Sequence, residues 1–249
     1  MARSPVRMPA GVQNIDYSAA VGGGQTNYDG ARISHPLFML PTLDPFRLVA
    51  SKNDFIDLPA TTNWTTTAVG TGTAAVVAGV GGILQLTTNN ATPATTDSVA
   101  YQEANASFVP SATGQFWYHA LVTPQDSLNS KFIIGLTNAT TTPDAATDGI
   151  YFQKNAAAQT VDLVTMVGSA ATTTAAITSM ADLTAIKLSF FYDGKGTLNY
   201  YANNNKLGSV AYTPTITVPL TPQFYVLSGA AATRYLQVDF FLAAQELVR

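Results

Sequence analysis

The stretch FFYDGKGTLNYYANNNKLGSV, residues 190–210, decides the fold. Asp193-Gly194 joins two runs with strand periodicity, and Asn203-Asn204-Asn205 joins the second run to a third. Asp-Gly and Asn-rich turns tolerate positive φ at little cost, so they connect antiparallel neighbours through hairpins. In AIKLSFFYD (185–193), Ile186, Leu188, Phe190 and Tyr192 alternate with Lys187, Ser189, Phe191 and Asp193, and the first set is expected to face a core. Adjacent hairpins form a meander, and strands this aromatic should pack on a second sheet.

The same pattern extends outward in both directions. Candidate strands are GILQLTT (82–88), SVAYQE (98–103), QFWYHALV (115–122), KFIIGLT (131–137), GIYFQ (149–153), TVDLVTMV (160–167), TLNYYA (197–202), KLGSVAYT (206–213), QFYVLSG (223–229) and RYLQVDFFLA (234–243). Short runs punctuated by turn signals, without a long helical period, are the spacing of a sandwich or barrel. In RYLQVDFFLA strict alternation groups Leu236, Val238, Phe240 and Leu242 on the core side against Tyr235, Gln237, Asp239 and Phe241. In QFWYHALV the sets Phe116, Tyr118, Ala120, Val122 and Trp117, His119, Leu121 leave both faces covered.

Residues 1–54 read differently, as an extended, mostly irregular arm. They hold Pro5, Pro9, Pro36, Pro41, Pro45 and the flexible joint Gly22-Gly23-Gly24, and they show no sustained alternation. ISHPLFMLPTLDPFRLV (33–49) carries large apolar residues between prolines that block helix propagation. Such an arm either wraps its own domain or docks on a neighbouring chain. Its candidate partner contacts are Arg3, Arg7, Arg32, Leu37, Phe38, Phe46 and Arg47.

Composition removes several functions. The 249 residues carry a net charge of −3, which lacks the basic footprint of nucleic-acid binding. With no cysteine there is no disulfide framework, thiolate metal site or cysteine nucleophile. MARSPVRMPAG has no apolar run behind its arginines, so synthesis in a cytoplasm is expected, and AAVVAGVGGIL (74–84) is too short for a membrane helix. Only 11% of residues are charged, which leaves a neutral surface rich in Thr, Ala and Asn.

Chemistry finds little foothold. A glycosidase needs two carboxylates about 5–10 Å apart, yet the only glutamates, Glu103 and Glu246, have no acidic neighbour at close spacing. The chain is therefore expected not to be an enzyme and to hold no cofactor. Of the two histidines, His35 lies in the arm and His119 in a strand, where a packed, hydrogen-bonded role is the simpler reading. Asn138, Asp144 and Asp148 offer oxygen ligands suited to calcium but are also ordinary turn formers, and no metal is expected. The sequons at Asn63, Asn90, Asn105 and Asn138 are chance products of Asn/Thr richness.

The stretch FFYDG-x-G-x-L-x-Y-Y-x-N-N-N-x-x-G resembles the hairpin of concanavalin-like and laminin-G-like jelly rolls. NDFIDLPATTNWTTTAVGTGTAA (53–75), GGILQLTTNN, FWYHALVTP, KFIIGLTNA followed by DGIYFQ, and the closing YLQVDFFLAAQE are similar to the layout of such domains in tailed-phage virion proteins. The resemblance implies an all-β, antiparallel jelly-roll β-sandwich over 55–249. It also implies a head decoration or cement protein on the capsid surface of a virion, without catalytic residues. Such a protein clamps neighbouring major capsid proteins through arm and loops, as a homo-oligomer with a trimer favoured; linked weak contacts multiply affinity. The alternative on the same fold is a carbohydrate-binding, lectin-like module of a tail fibre or spike. There Trp64, Trp117 and Tyr200, with Tyr201 beside it, would stack on sugar rings.

Overall fold

The structure, a computed structural model, describes residues 48–58, 63–79, 81–88, 97–140, 143–230 and 232–247. The candidate contacts Arg3, Arg7, Arg32, Leu37, Phe38, Phe46 and Arg47, together with His35 and Gly22-Gly23-Gly24, lie outside the described residues. The described chain runs β1 (Leu48–Asn53), β2 (Trp64–Val69), β3 (Thr73–Val77), β4 (Ile83–Thr88), β5 (Ser98–Glu103), β6 (Phe116–Pro124), β7 (Ser130–Asn138) and β8 (Gly149–Lys154). It continues through β9 (Thr160–Val167), β10 (Ala170–Ser179), β11 (Ile186–Tyr192), β12 (Thr197–Ala202), β13 (Asn205–Ala211), β14 (Leu220–Ser228) and β15 (Arg234–Glu246).

The strands form two antiparallel sheets. One runs β13-β12-β11-β6-β15-β4-β3, with β1 also paired to β15; the other runs β10-β9-β8-β7-β14-β5-β2. The 190–210 meander forms as read. Asp193 Oδ1 accepts from the Lys195 and Thr197 amides at 2.7 and 3.0 Å, and Gly194 takes φ +71°. Asn203 and Asn204 have φ +49° and +67°, the doubly positive geometry of a two-residue turn that matches strand twist.

Between the sheets lies one dominant core. Ile186, Leu188, Phe190 and Tyr192 point into it from β11, as alternation indicates. Phe55, Trp64, Phe224 and Phe241 form its aromatic centre, with Trp64 stacked on Tyr101 at 4.8 Å and edge-on to Phe241 at 5.4 Å. Each large side chain fully buried there contributes about 1.5–3 kcal/mol. The outward residues Trp117, His119, Ser189 and Phe191 are buried too, so the centre of this sheet is covered on both faces.

Three expectations need correction. First, β15 does not alternate throughout. A bulge between Val238 and Phe240 shifts the register, so Leu236 and Val238 face inward but Phe241 and Ala243 follow them, leaving Phe240 and Leu242 on the outside. Second, β2, β3 and β10 are strands the sequence reading did not pick out; all are rich in Thr and Ala, and all run along sheet edges. Third, β1 lies within 48–53, the span assigned to the irregular arm, and pairs with β15 from Leu48–Glu246 to Asn53–Phe241. Val49 packs on the core, which gives those residues a reason to join the sheet.

Candidate functional site

The residues proposed for sugar stacking do not make a platform. Trp64 is 5% exposed inside the core and Trp117 is 1% exposed, so neither ring has a face to offer a sugar. Tyr200 is half-buried, and its hydroxyl leans over Gly208, where a Cβ would meet it at 2.3 Å. His119 behaves as a packed strand residue: its Nδ1 lies 2.7 Å from Ser189 Oγ, among the rings of Trp117 and Phe240.

A different arrangement appears on the outer face of the seven-stranded sheet. Phe132, Ile134 and Leu136 of β7 face the core, so Ile133, Gly135 and Thr137 face out. By the same alternation β5 presents Ala100 and Gln102, β14 Gln223 and Tyr225, β8 Tyr151 and Gln153, and β9 Asp162 and Val164. Register aligns these into two rows. One runs Gln102, Gln223, Gly135, Tyr151, Val164; the other runs Ala100, Tyr225, Ile133, Gln153, Asp162. Five strands at β spacing span about 19 Å.

Amides and tyrosines dominate the middle of these rows. Ala100, Ile133, Tyr151, Val164 and Tyr225 form a second buried cluster, separate from the inter-sheet core. Gly135 makes the centre shallow: a Cβ there would stand 2.5 Å from Tyr151 Cα and 2.6 Å from Ile150 O, so β8 can lie this close only against glycine. Gln223 Oε1 accepts from Thr137 Oγ1 and, at 3.4 Å, from Gln102 Nε2. Gln223 is fully buried, yet its Nε2 has no hydrogen-bond partner. Burial pushes the Tyr151 and Tyr225 hydroxyls up to about 12, with the Asp144 charge adding to both and a Ser98 hydrogen bond opposing it at Tyr225.

Carboxylates near this face are engaged elsewhere. Asp162 Oδ1 accepts from the Ala176 amide at 2.7 Å, and Asp144 pairs with Lys131. Glu103 and Glu246 end strands of different sheets; burial raises the Glu103 carboxyl, against a hydrogen bond from Ser51. Asp239, at the β15 bulge, is raised first by burial and then by the charge of Asp54, but this pair belongs to the other sheet.

The residues considered for calcium stabilise a loop instead. Asn138 Oδ1 accepts from the Thr147 and Asp148 amides at 3.0 and 3.1 Å, and Asp148 Oδ1 accepts from Gly168 N at 3.0 Å. Among the described residues no three acidic or histidine side chains gather as a metal site.

The sequence reading missed Gln102, Thr137, Gln223, Tyr151 and Tyr225. Their signal is a polar or phenolic residue at outward positions of strands it had located, but only the strand order brings them together.

No protein-family model matches the chain, and no curated protein matches it significantly. Solved structures do. A protein of unknown function, SO2946 from Shewanella oneidensis MR-1, aligns at 14% identity over 86% of this chain and 93% of that one, with a TM-score of 0.56. The endo-1,3-beta-glucanase from Streptomyces sioyaensis aligns at 11% identity over 82% and 99%, with a TM-score of 0.58. The potassium-bound carbohydrate recognition domain of Emp46p aligns at 7% identity over 76% and 94%, with a TM-score of 0.51. Identities this low show a shared fold: the chain is a concanavalin-like jelly-roll β-sandwich.

Proposed function

We propose that this domain binds a neutral glycan on the outer face of its seven-stranded sheet, without cleaving it. The observation that carries the reading is the buried Gln223 Nε2, a donor without an acceptor at the centre of the amide and tyrosine rows. Leaving such a group unsatisfied costs about 1–3 kcal/mol, and a sheet face gains nothing structural by keeping it. A sugar hydroxyl supplies the missing acceptor once the groups covering Gln223 move aside, since Gln223, Tyr151 and Tyr225 are as buried here as the tryptophans.

Carbohydrate chemistry among the structural neighbours agrees with this choice, since a glucanase and a carbohydrate recognition domain share the fold. The reading is of binding without hydrolysis because the sequence offers no closely spaced pair of acids of the kind a glycosidase uses, and on this face Asp162 accepts from an amide while Asp144 pairs with Lys131. Attachment to a phage capsid would draw on the arm, residues 1–54, and on loops, and its named contacts lie outside the described residues.

The test is a glycan array read with wild type and Gln223→Leu. The reading expects a neutral-glycan hit that Gln223→Leu loses while its circular dichroism spectrum stays that of a β-sandwich. A flat array with folded wild type sinks it, and so does a hit that Gln223→Leu retains. Hundreds of copies per virus particle together with a flat array would favour the capsid reading instead.

A further inference from the structure

We infer that this chain pairs with a second copy of itself through β10, edge to edge and antiparallel, about a two-fold axis at Thr173.

β10 ends the seven-stranded sheet, and among the described residues it pairs only with β9. An edge strand leaves the backbone N–H and C=O groups of its outer side without ladder partners, which makes it a template for another strand. Ala170, Ala171, Thr172, Thr173, Ala175 and Ala176 are all exposed, so this edge stands open to solvent. Natural edges are blunted by charge, proline, short length or bulges. Here β1 carries Lys52 and β13 carries Lys206, while β2 and β3 have only six and five residues. β10 has ten residues, with neither charge nor proline. Its one blunting device is a bulge: the ladder to β9 breaks after Thr174 and resumes at Thr178, with Asp162 Oδ1 taking the Ala176 amide at 2.7 Å. That bulge bounds the open ladder on one side and leaves Ala170–Thr174 regular.

The order of residues along this edge selects a second copy as the partner. AATTTAA, residues 170–176, reads the same in both directions about Thr173. A two-fold axis there sets Thr173 opposite Thr173, Thr172 opposite Thr174 and Ala171 opposite Ala175 of the other copy. Threonine thus meets threonine, a favourable cross-strand pair, and no like charges are brought together. Moving the axis to Thr172 or Thr174 sets threonine against alanine instead. The contact spans about five residues of each strand, at the low end of specific interfaces, so the pair dissociates on dilution.

Pairing here also joins the outer faces of the two copies. Thr173 is in register with Val164, the last residue of the row Gln102, Gln223, Gly135, Tyr151, Val164, so the axis runs that row into its copy. The two Gln223 positions then lie about nine strand spacings, roughly 43 Å, apart on one continuous sheet. Two sites so linked multiply the affinity for a polymer. That consequence rests on the glycan reading above, whereas the pairing does not.

Single-cysteine variants report the interface directly, because the chain has no cysteine of its own. Under mild oxidation Thr173→Cys should form a disulfide-linked dimer about tenfold faster than Thr65→Cys, an exposed position on the opposite edge of the same sheet. A mixture of Ala171→Cys and Ala175→Cys should give the mixed dimer in preference to either homodimer, which fixes the register. In sedimentation equilibrium at high protein concentration, wild type should show a reversible monomer–dimer equilibrium. Thr173→Lys, which sets like charges opposite each other at the axis, should stay monomeric with the Tm of wild type; if its Tm falls as well, the cysteine rates decide. Thr173→Cys no faster than Thr65→Cys, homodimers favoured in the mixture, a wild type that stays monomeric, or association that Thr173→Lys retains would each overturn the pairing.

Discussion

Lys154→Met removes an ammonium from inside the sandwich. Lys154 is 1% exposed, its Nζ donates to Leu128 O at 3.3 Å and to Ser130 O, and it lies 5.4 Å from the Phe132 ring centre. Burial pushes its pKa from 10.5 down to about 8, against the attraction of Asp126 and then Asp182. Asp126 is itself raised by burial, but hydrogen bonds from Asn129 and Leu128 and the Arg234 charge hold it below its ordinary value, so it stays ionised near neutrality. Between about pH 8 and 10.5 the unfolded chain therefore carries a Lys154 proton that the folded chain has released, and stability rises with pH through that window. With these two pKa values Lys154 by itself contributes about 2 kcal/mol between about pH 7 and about pH 9.5, or about 4–8 °C in Tm for a domain of this size. The chain has no cysteine thiol to titrate in the same range. The raised tyrosines oppose this from about pH 9 and outweigh it before about pH 10, because burial lifts Tyr101, Tyr151 and Tyr225 to about 12 and the folded state then retains protons that the unfolded state loses. Urea unfolding at pH 7, 8, 9 and 9.5 should show wild type gaining about 2 kcal/mol on Lys154→Met, which falls slightly as its tyrosines begin to titrate in the unfolded state and can match or exceed wild type at pH 7 because a buried charge has gone. Parallel profiles for the two proteins refute the reasoning.

Trp64→Ala should cost about 3–5 kcal/mol in urea unfolding, since Tyr101, Phe55, Phe224 and Phe241 all pack on that ring. A loss under about 1 kcal/mol would remove Trp64 from the core. Gly135→Ala should destabilise by about 1–3 kcal/mol and abolish glycan binding, because the new methyl meets the β8 backbone and pushes Tyr151 out of its row; unchanged Tm would show that β7 and β8 have slack. A chelator should leave Tm unchanged, because Asn138 and Asp148 are engaged with backbone amides and Asp144 with Lys131, whereas a fall on chelation would reinstate calcium at that loop.

Legibility in the sequence followed hydrophobic contrast. β5, β9 and β12 have the bounds that their alternation indicates, and the Asp193-Gly194 and Asn203-Asn204 turns carry the positive φ their residue types favour. WTTTAV, TAAVV and AATTTAAITS could not announce themselves, because Thr and Ala suit either face and a period of two needs unlike neighbours to be seen. The second half of β15 was inverted by one extra residue at the bulge, which a count along the chain does not register. The site was least legible. Gln102, Thr137, Tyr151 and Gln223 come from four strands separated along the chain, and only sheet order and register make them neighbours. Trp64 and Trp117 drew attention as large rings, but size favours burial in a sandwich as strongly as it favours sugar stacking.

The central claim is that the outer face of the seven-stranded sheet receives a neutral glycan, and amide and side-chain chemical shifts recorded during titration with a panel of neutral oligosaccharides test it most directly. The account predicts saturable shifts centred on Gln102, Gln223, Tyr151 and Tyr225, with the Gln223 side-chain amide protons moving most. Saturable shifts confined to the other sheet, around Trp117 and Phe191, or no shifts at millimolar oligosaccharide would contradict it.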